Sequence, residues 1–181
     1  MFEFHEILLI CALLVLAAMV IVPIFFGAPW HPLLPGTIRR ILRFADIRPG
    51  ETICDLGCGE GRVLITSAKE FFTRAIGVEI DPIKVVIARL LARINGVSDR
   101  VQIVRGNMFD FDPGSVDVLY LYLSHQSMDR LFPEILKKLK PSVRIVSYRF
   151  CLRGMTPDKV SEDKTLFLYQ LDKGTKINTY H

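Results

Sequence analysis

The residues with the clearest capacity for chemistry are Asp55-Leu56-Gly57-Cys58-Gly59-Glu60-Gly61-Arg62, set between a strand-like apolar run and a helix-like one. Glycines at 57, 59 and 61 let the backbone turn tightly and approach a ligand, and the helix start that follows offers free N–H groups. The spacing is G-x-G-x-G. A dinucleotide fingerprint needs G-x-G-x-x-G, so Arg62 stands where its third glycine belongs and a nicotinamide cofactor is disfavoured. Glu79 closes the next apolar run 18 residues beyond Gly61. A carboxylate there can accept both hydroxyl protons of a ribose, or simply stand as the acid before a helix. A third segment, Gly106-Asn107-Met108-Phe109-Asp110, pairs an amide able to meet an adenine edge with two apolar side chains able to wall its ring; a polar loop over a core has the same composition.

The elements that must position these residues alternate between helix-like and strand-like, the pattern of a parallel sheet covered by helices on both faces. The expected α/β order is helix 37–45, strand 52–56, helix 62–72, strand 75–79, helix 82–95, strand 101–105, strand 116–123, helix 128–139 and strand 144–150. Pro49-Gly50 turns the chain before the first strand, Pro82 suits a first helical turn, and Asn95-Gly96 suits a helix end. Segment 165–171, the turn Asp172-Lys173-Gly174 and segment 176–180 read as an antiparallel hairpin closing one sheet edge.

Residues 7–26 run for 20 positions without a charge, long enough for a hydrocarbon core of roughly 30 Å. Glu3 and Glu6 precede the run, where a signal peptide wants a basic flank, so the expectation is one transmembrane helix over 7–26 after a short segment 1–6. Residues 27–36, with Gly27, Pro29, Pro32, Pro35 and Gly36, make the expected linker to a catalytic domain over 37–181. Every Lys and Arg follows the run, beginning with Arg39, Arg40 and Arg43, which places the domain on the cytoplasmic side of a single-pass membrane protein.

The chain carries +4 overall, and setting Glu3 and Glu6 aside leaves 23 basic against 17 acidic residues. No dense basic cluster interleaved with aromatics appears, so a solvated face beside an anionic leaflet is expected and nucleic acid is not. Cys11 falls in the apolar run, and Cys54, Cys58 and Cys151 lack the spacing of a zinc site, so no metal is expected.

DLGCGEGR, GVEID at 77–81 and GNMFDF at 106–111 together resemble the successive cofactor motifs of class I methyltransferases. RRILRFADIRPGETICDLGCGEGRV, DVLYLYLSHQSMDRLFPEILKKLKPSVRIVSYRF and TPDKV are similar to the membrane-anchored and archaeal lysine methyltransferases related to the mitochondrial methylases of the ATP synthase c subunit and the adenine nucleotide translocase. The resemblance implies a Rossmann-like, mostly parallel seven-stranded sheet with a C-terminal antiparallel hairpin, and S-adenosylmethionine as cofactor. Asp55, Gly57 and Gly59 would then line the methionine side, Glu79 hold the ribose and Asn107 with Met108 meet the adenine, with Cys58, Gly61 and Ile80 also among the cofactor-binding residues.

The resemblance also implies a lysine acceptor, on a membrane-associated protein, entering beside Tyr122, Leu123, Ser124 and His125. The N-P-P-Y type motif of amino-directed nucleic-acid methyltransferases is absent there. Tyr122 and Ser124 are the catalytic candidates, orienting the amine by hydrogen bonds, with His125 as a proton relay; a core tyrosine and a surface histidine are the plainer readings. Pro141-Ser142-Val143-Arg144 replaces the family's Pro-Gly-Thr-Arg, and Met155 stands before Thr156-Pro157 where an aromatic is usual. Two further function classes fit the same cofactor loop: a methyltransferase for a small or lipid-like molecule at the membrane, and a non-catalytic binding module.

Overall fold

The computed structural model describes residues 5, 6, 8–10, 13, 15 and 33–172. The chain divides into two compact units, 1–32 and 33–181. In the first, the described residues are helical, and Leu8, Leu9, Ile10, Leu13 and Val15 are exposed. Among the described residues no helix is long and apolar enough to cross a membrane, and most of the expected span over 7–26 lies outside them.

The second unit begins with α1 (Pro35–Phe44), followed by β1 (Thr52–Leu56), α2 (Arg62–Glu70), β2 (Arg74–Glu79), α3 (Pro82–Ile94), β3 (Val101–Arg105), β4 (Val118–Leu121), α4 (His125–Leu136), β5 (Arg144–Tyr148), β6 (Lys159–Val160) and β7 (Leu166–Gln170). The seven strands form one sheet in the order β3-β2-β1-β4-β5-β7-β6. The first five are parallel, β7 runs antiparallel beside β5, and β6 pairs antiparallel with β7.

The sheet separates two cores. On one face α1, α2 and α3 pack through Ile41, Leu64, Val85 and Ala88 against Ile53, Val118 and Val146. On the other, α4 packs through Met128, Leu131 and Ile135 against Cys54, Leu119 and Leu121. Strands this apolar on both faces are what a covered parallel sheet requires. Connections leave β1 toward β2 and return to β4 on its other side, so the ends of β1 and β4 form the switch point where ligands bind in open α/β sheets.

Several boundaries differ from the sequence expectation. Pro35 and Gly36, assigned to the linker, form the first turn of α1: proline has no N–H to leave unpaired at that position. α2 stops at Glu70 because Phe71 leaves helical geometry and Phe72 takes a φ of 56°. α4 begins at His125, three residues earlier than expected, capped by Ser124, and continues through Pro133. β4 and β5 are shorter than expected. Strand β7 matches the first arm of the expected hairpin, but its partners are β5 and β6; segment 176–180 lies outside the described residues. β6, only two residues long, carried no periodicity to announce it.

Candidate functional site

Asp55 ends one buried step before the close of β1 and is 4% exposed, and Glu79 is the last residue of β2 and 7% exposed. The loop between them is tied to β2 at two levels. Gly57 and Cys58 both donate their N–H groups to the Val78 carbonyl, at 2.8 and 3.0 Å. The Glu79 carboxylate accepts from the Gly59 N–H at 2.8 Å through one oxygen and from the Asp81 N–H at 2.9 Å through the other. Each carboxylate oxygen has a second lone pair, so Glu79 retains capacity for ribose hydroxyls while fixing the glycine loop.

Gly57, Gly59 and Gly61 all have positive φ, at 82°, 55° and 73°. At Gly59 a Cβ would meet nothing within 4 Å, which marks the open side of the loop. Gly77 serves the opposite purpose: a Cβ there would lie 2.4 Å from Leu64 Cδ1 and 2.6 Å from Cys58 Sγ. The Cys58 side chain therefore tucks beneath the loop onto Gly77, in the core, and burial followed by the Asp55 charge pushes its thiol up. Of the expected cofactor residues, Cys58 turns its side chain into the core and leaves only its backbone in the loop, and Gly77 makes room for that side chain.

Burial first, and then the charge of Glu79, pushes the Asp55 carboxyl up to about 8. Among the described residues it accepts no hydrogen bond. Beside it, at the paired position of β4, is Tyr120, whose buried hydroxyl also has no hydrogen-bond partner among the described residues. A buried acid and a buried hydroxyl without partners, at a loop open to one side, suit a ligand that brings positive charge and donors. The methionine end of S-adenosylmethionine, with an ammonium and a sulfonium, has that chemistry.

On the ribose and adenine side, Ile80 is 61% exposed directly after Glu79, placed to lie against a ligand. Asn107 is used locally: its Oδ1 accepts from the Phe109 N–H at 3.2 Å and its Nδ2 donates to Asp110 Oδ2 at 3.1 Å. The amide shapes the loop that carries Met108, a half-buried side chain packed on the second core. Phe109 is covered by the Arg130 guanidinium, 4.5 Å from its ring centroid.

At the end of β4, Tyr122 is half-buried and meets Tyr148 of β5 edge to face, with centroids 5.0 Å apart. Ser124 is engaged as the α4 cap. Its Oγ accepts from the Ser127 N–H at 3.3 Å, and its proton goes to Ser127 Oγ at 3.0 Å. His125 is exposed at the helix start, against Phe150 at 4.5 Å. The structure thus brings Tyr122 together with Tyr120 and Tyr148 on one face of the sheet with Asp55. Alternate-residue spacing announces Tyr120 beside Tyr122; nothing in the sequence joins Tyr148 to them.

The profile of the ANTKMT methyltransferase domain family matches residues 55–159, from the first buried acid to β6. The chain belongs to that family. It is 36% identical over 148 residues to a protein-lysine N-methyltransferase of Saccharolobus islandicus, a match covering 78% of this chain and 92% of that one. It is 24% identical to the lysine N-methyltransferase of the ATP synthase c subunit from Xenopus laevis, over 83% of this chain and 66% of the relative. Among solved structures, an RNA methyltransferase of Salinibacter ruber in complex with S-adenosyl-L-homocysteine superposes with a TM-score of 0.77 at 30% identity, covering 81% of this chain and 97% of that one. The sheet order and the glycine loop are those of S-adenosylmethionine-dependent methyltransferases, and S-adenosylmethionine is the cofactor of this family's fold.

Proposed function

We propose that this methyltransferase transfers the methyl group of S-adenosylmethionine to the ε-amine of lysine on a protein held at the membrane that residues 7–26 enter, with the catalytic unit on the cytoplasmic side. The observation that carries the reading is the pairing at the switch point of the buried Asp55 beneath the glycine loop with the half-buried Tyr122–Tyr148 pair. The Saccharolobus islandicus relative, a protein-lysine N-methyltransferase, supports the acceptor class.

In this reading Glu79 holds the ribose hydroxyls while keeping Gly59 in place, and Asp55 faces the ammonium of the methionine part. Gly57, Gly59 and Gly61 let the backbone close on the ligand, Ile80 lies against the adenosine, and Asn107 holds the loop that brings Met108 to the adenine. The bound cofactor supplies an already electrophilic methyl carbon, so the chain's task is positioning and exclusion of water. A lysine with pKa near 10.4 pays about 4.6 kcal/mol to become neutral at pH 7. The Tyr122 and Tyr148 rings provide a site poorer in water than solvent, which favours the neutral amine, and the Tyr122 hydroxyl directs its lone pair. The nitrogen–carbon bond then forms as the carbon–sulfur bond breaks, and the amine's proton leaves to water. Ser124 acts on this arrangement only through the start of α4.

The test is transfer of labelled methyl from S-adenosylmethionine into membrane fractions by the intact chain and by an Asp55→Ala, Glu79→Ala variant. Acid-stable label in a discrete protein band, absent with the variant, is the expected result. The Salinibacter ruber neighbour, an RNA methyltransferase, supports a second reading in which the acceptor is RNA; label that disappears with ribonuclease would establish it. Label confined to the lipid fraction would instead assign a lipid-like acceptor.

A further inference from the structure

Helix α3, Pro82–Ile94, has two apolar faces. Val85, Ala88 and Ala92 are buried against the sheet, as an amphipathic surface helix requires. On the opposite side Ile83, Val86, Ile87, Leu90 and Ile94 are 36–70% exposed. Their spacing of i, i+3, i+4, i+7 and i+11 makes one continuous stripe along the helix. A stripe of five large aliphatic side chains in a row is a contact surface, unlike single exposed hydrophobics. The 13 residues of the helix contain no Asp or Glu. Arg89 and Arg93 lie along one flank, Arg89 also donating to the Ile103 carbonyl at 2.7 Å, and Lys84 lies on the other, beside the N-cap Asp81 at 4.0 Å.

We infer that the outer face of α3 lies on the anionic surface of the membrane, its aliphatic stripe entering the headgroup–acyl boundary and its basic flanks meeting lipid phosphates. This rests on the membrane tether proposed above. An aliphatic stripe between basic flanks is the composition of a helix lying in the interfacial plane. Basic residues beside such a surface each add attraction to anionic lipid. The tether makes the contact intramolecular, since the eight residues 27–34 span at most about 28 Å between the apolar run and α1.

Two other occupants fit less well. A second copy docked stripe to stripe would bring two sets of Arg89 and Arg93 together with no carboxylate from either helix. The chain's own run over 7–26 has no charge on any side, and α3 could cover only one flank of it, leaving the rest in water.

The experiment uses the full chain in vesicles of phosphatidylcholine with a minor share of phosphatidylserine. Cys11 and Cys151 are replaced by Ser, and a fluorophore is attached at Val86→Cys or, on the other sheet face, at Lys137→Cys; both positions are exposed. Lipids spin-labelled near the headgroup are expected to quench the label at 86 several-fold more than the label at 137, and omitting phosphatidylserine should shrink the difference. Equal quenching in chain that resists alkaline extraction would overturn the α3 contact while leaving the tether intact. Release by alkali of chain that was quenched at 86 would support the contact and overturn the tether. Cross-linking of 86 to its twin, without quenching, would overturn the contact in favour of a second copy.

Discussion

The two halves of the switch point are built by different means. On the β1–β2 side, hydrogen bonds hold the loop to the next strand: Gly57, Cys58 and Gly59 donate to Val78 and Glu79, and the Glu79 carboxylate also accepts from the Asp81 N–H. On the β4–β5 side, Tyr122 and Tyr148 meet only because their strands are adjacent. The first half is a backbone cradle whose Gly57, Cys58 and Gly59 N–H groups are paired before a ligand arrives, with the buried Asp55 beneath it. The second is an aromatic wall held by packing. Binding of the cofactor and choice of acceptor should therefore fail separately under mutation.

The largest expected effect is on the cradle. Glu79→Ala strands the Gly59 and Asp81 N–H groups, at about 1–3 kcal/mol each, so S-adenosylmethionine affinity should fall on the order of 100-fold by calorimetry. Unchanged affinity would break the contrast between the halves. Tyr122→Phe should lower kcat by up to about 100-fold, the cost of a misplaced reacting group, with cofactor affinity intact. A matching loss of cofactor affinity would place Tyr122 in the cradle instead.

Gly77→Ala should destabilise the fold by about 1–3 kcal/mol in urea unfolding, because the added methyl meets Leu64 and Cys58 in a packed core. Asp55 gives a pH signature. Its carboxyl is near 8 in the folded chain and about 3.9 when unfolded, so the folded state holds the extra proton across that window. The contribution of Asp55 to the stability of the ligand-free protein is then fullest below about pH 4 and is lost as pH rises toward 8. Asp55→Asn should raise Tm at pH 8, with the gain vanishing near pH 4. The smallest effect belongs to Ser124→Ala, about 1 kcal/mol of stability from the lost cap. Its kcat should change little, whereas a large fall would return Ser124 to the acceptor site.

Legibility followed the same division. DLGCGEGR and Glu79 could be read because each local requirement, a tight turn, close approach or a carboxylate at a strand end, selects a residue type at a fixed spacing. Ser124 was ambiguous because a hydroxyl before a helix suits an acceptor site and a cap equally, and the fold engages it with Ser127 as the cap. Asn107 likewise turned inward to its own loop. Gly77 entered the sequence reading only as the first residue of GVEID, and its reason for being glycine, the packing of Cys58 and Leu64 over it, belongs to the fold.

By itself the sequence determined the order of the elements from α1 to β5, the glycine loop and its acid, and membership of the cofactor class, since these depend on local patterns and residue types at fixed spacing. The tertiary structure decided that Tyr120, Tyr122 and Tyr148 share one wall with Asp55, that β7 pairs with β5 and β6, and that α3 turns a second apolar face outward. The physical reason is that sheet order and helix packing set which distant side chains meet. Periodicity reports that a residue is apolar along a face, but not what lies opposite it.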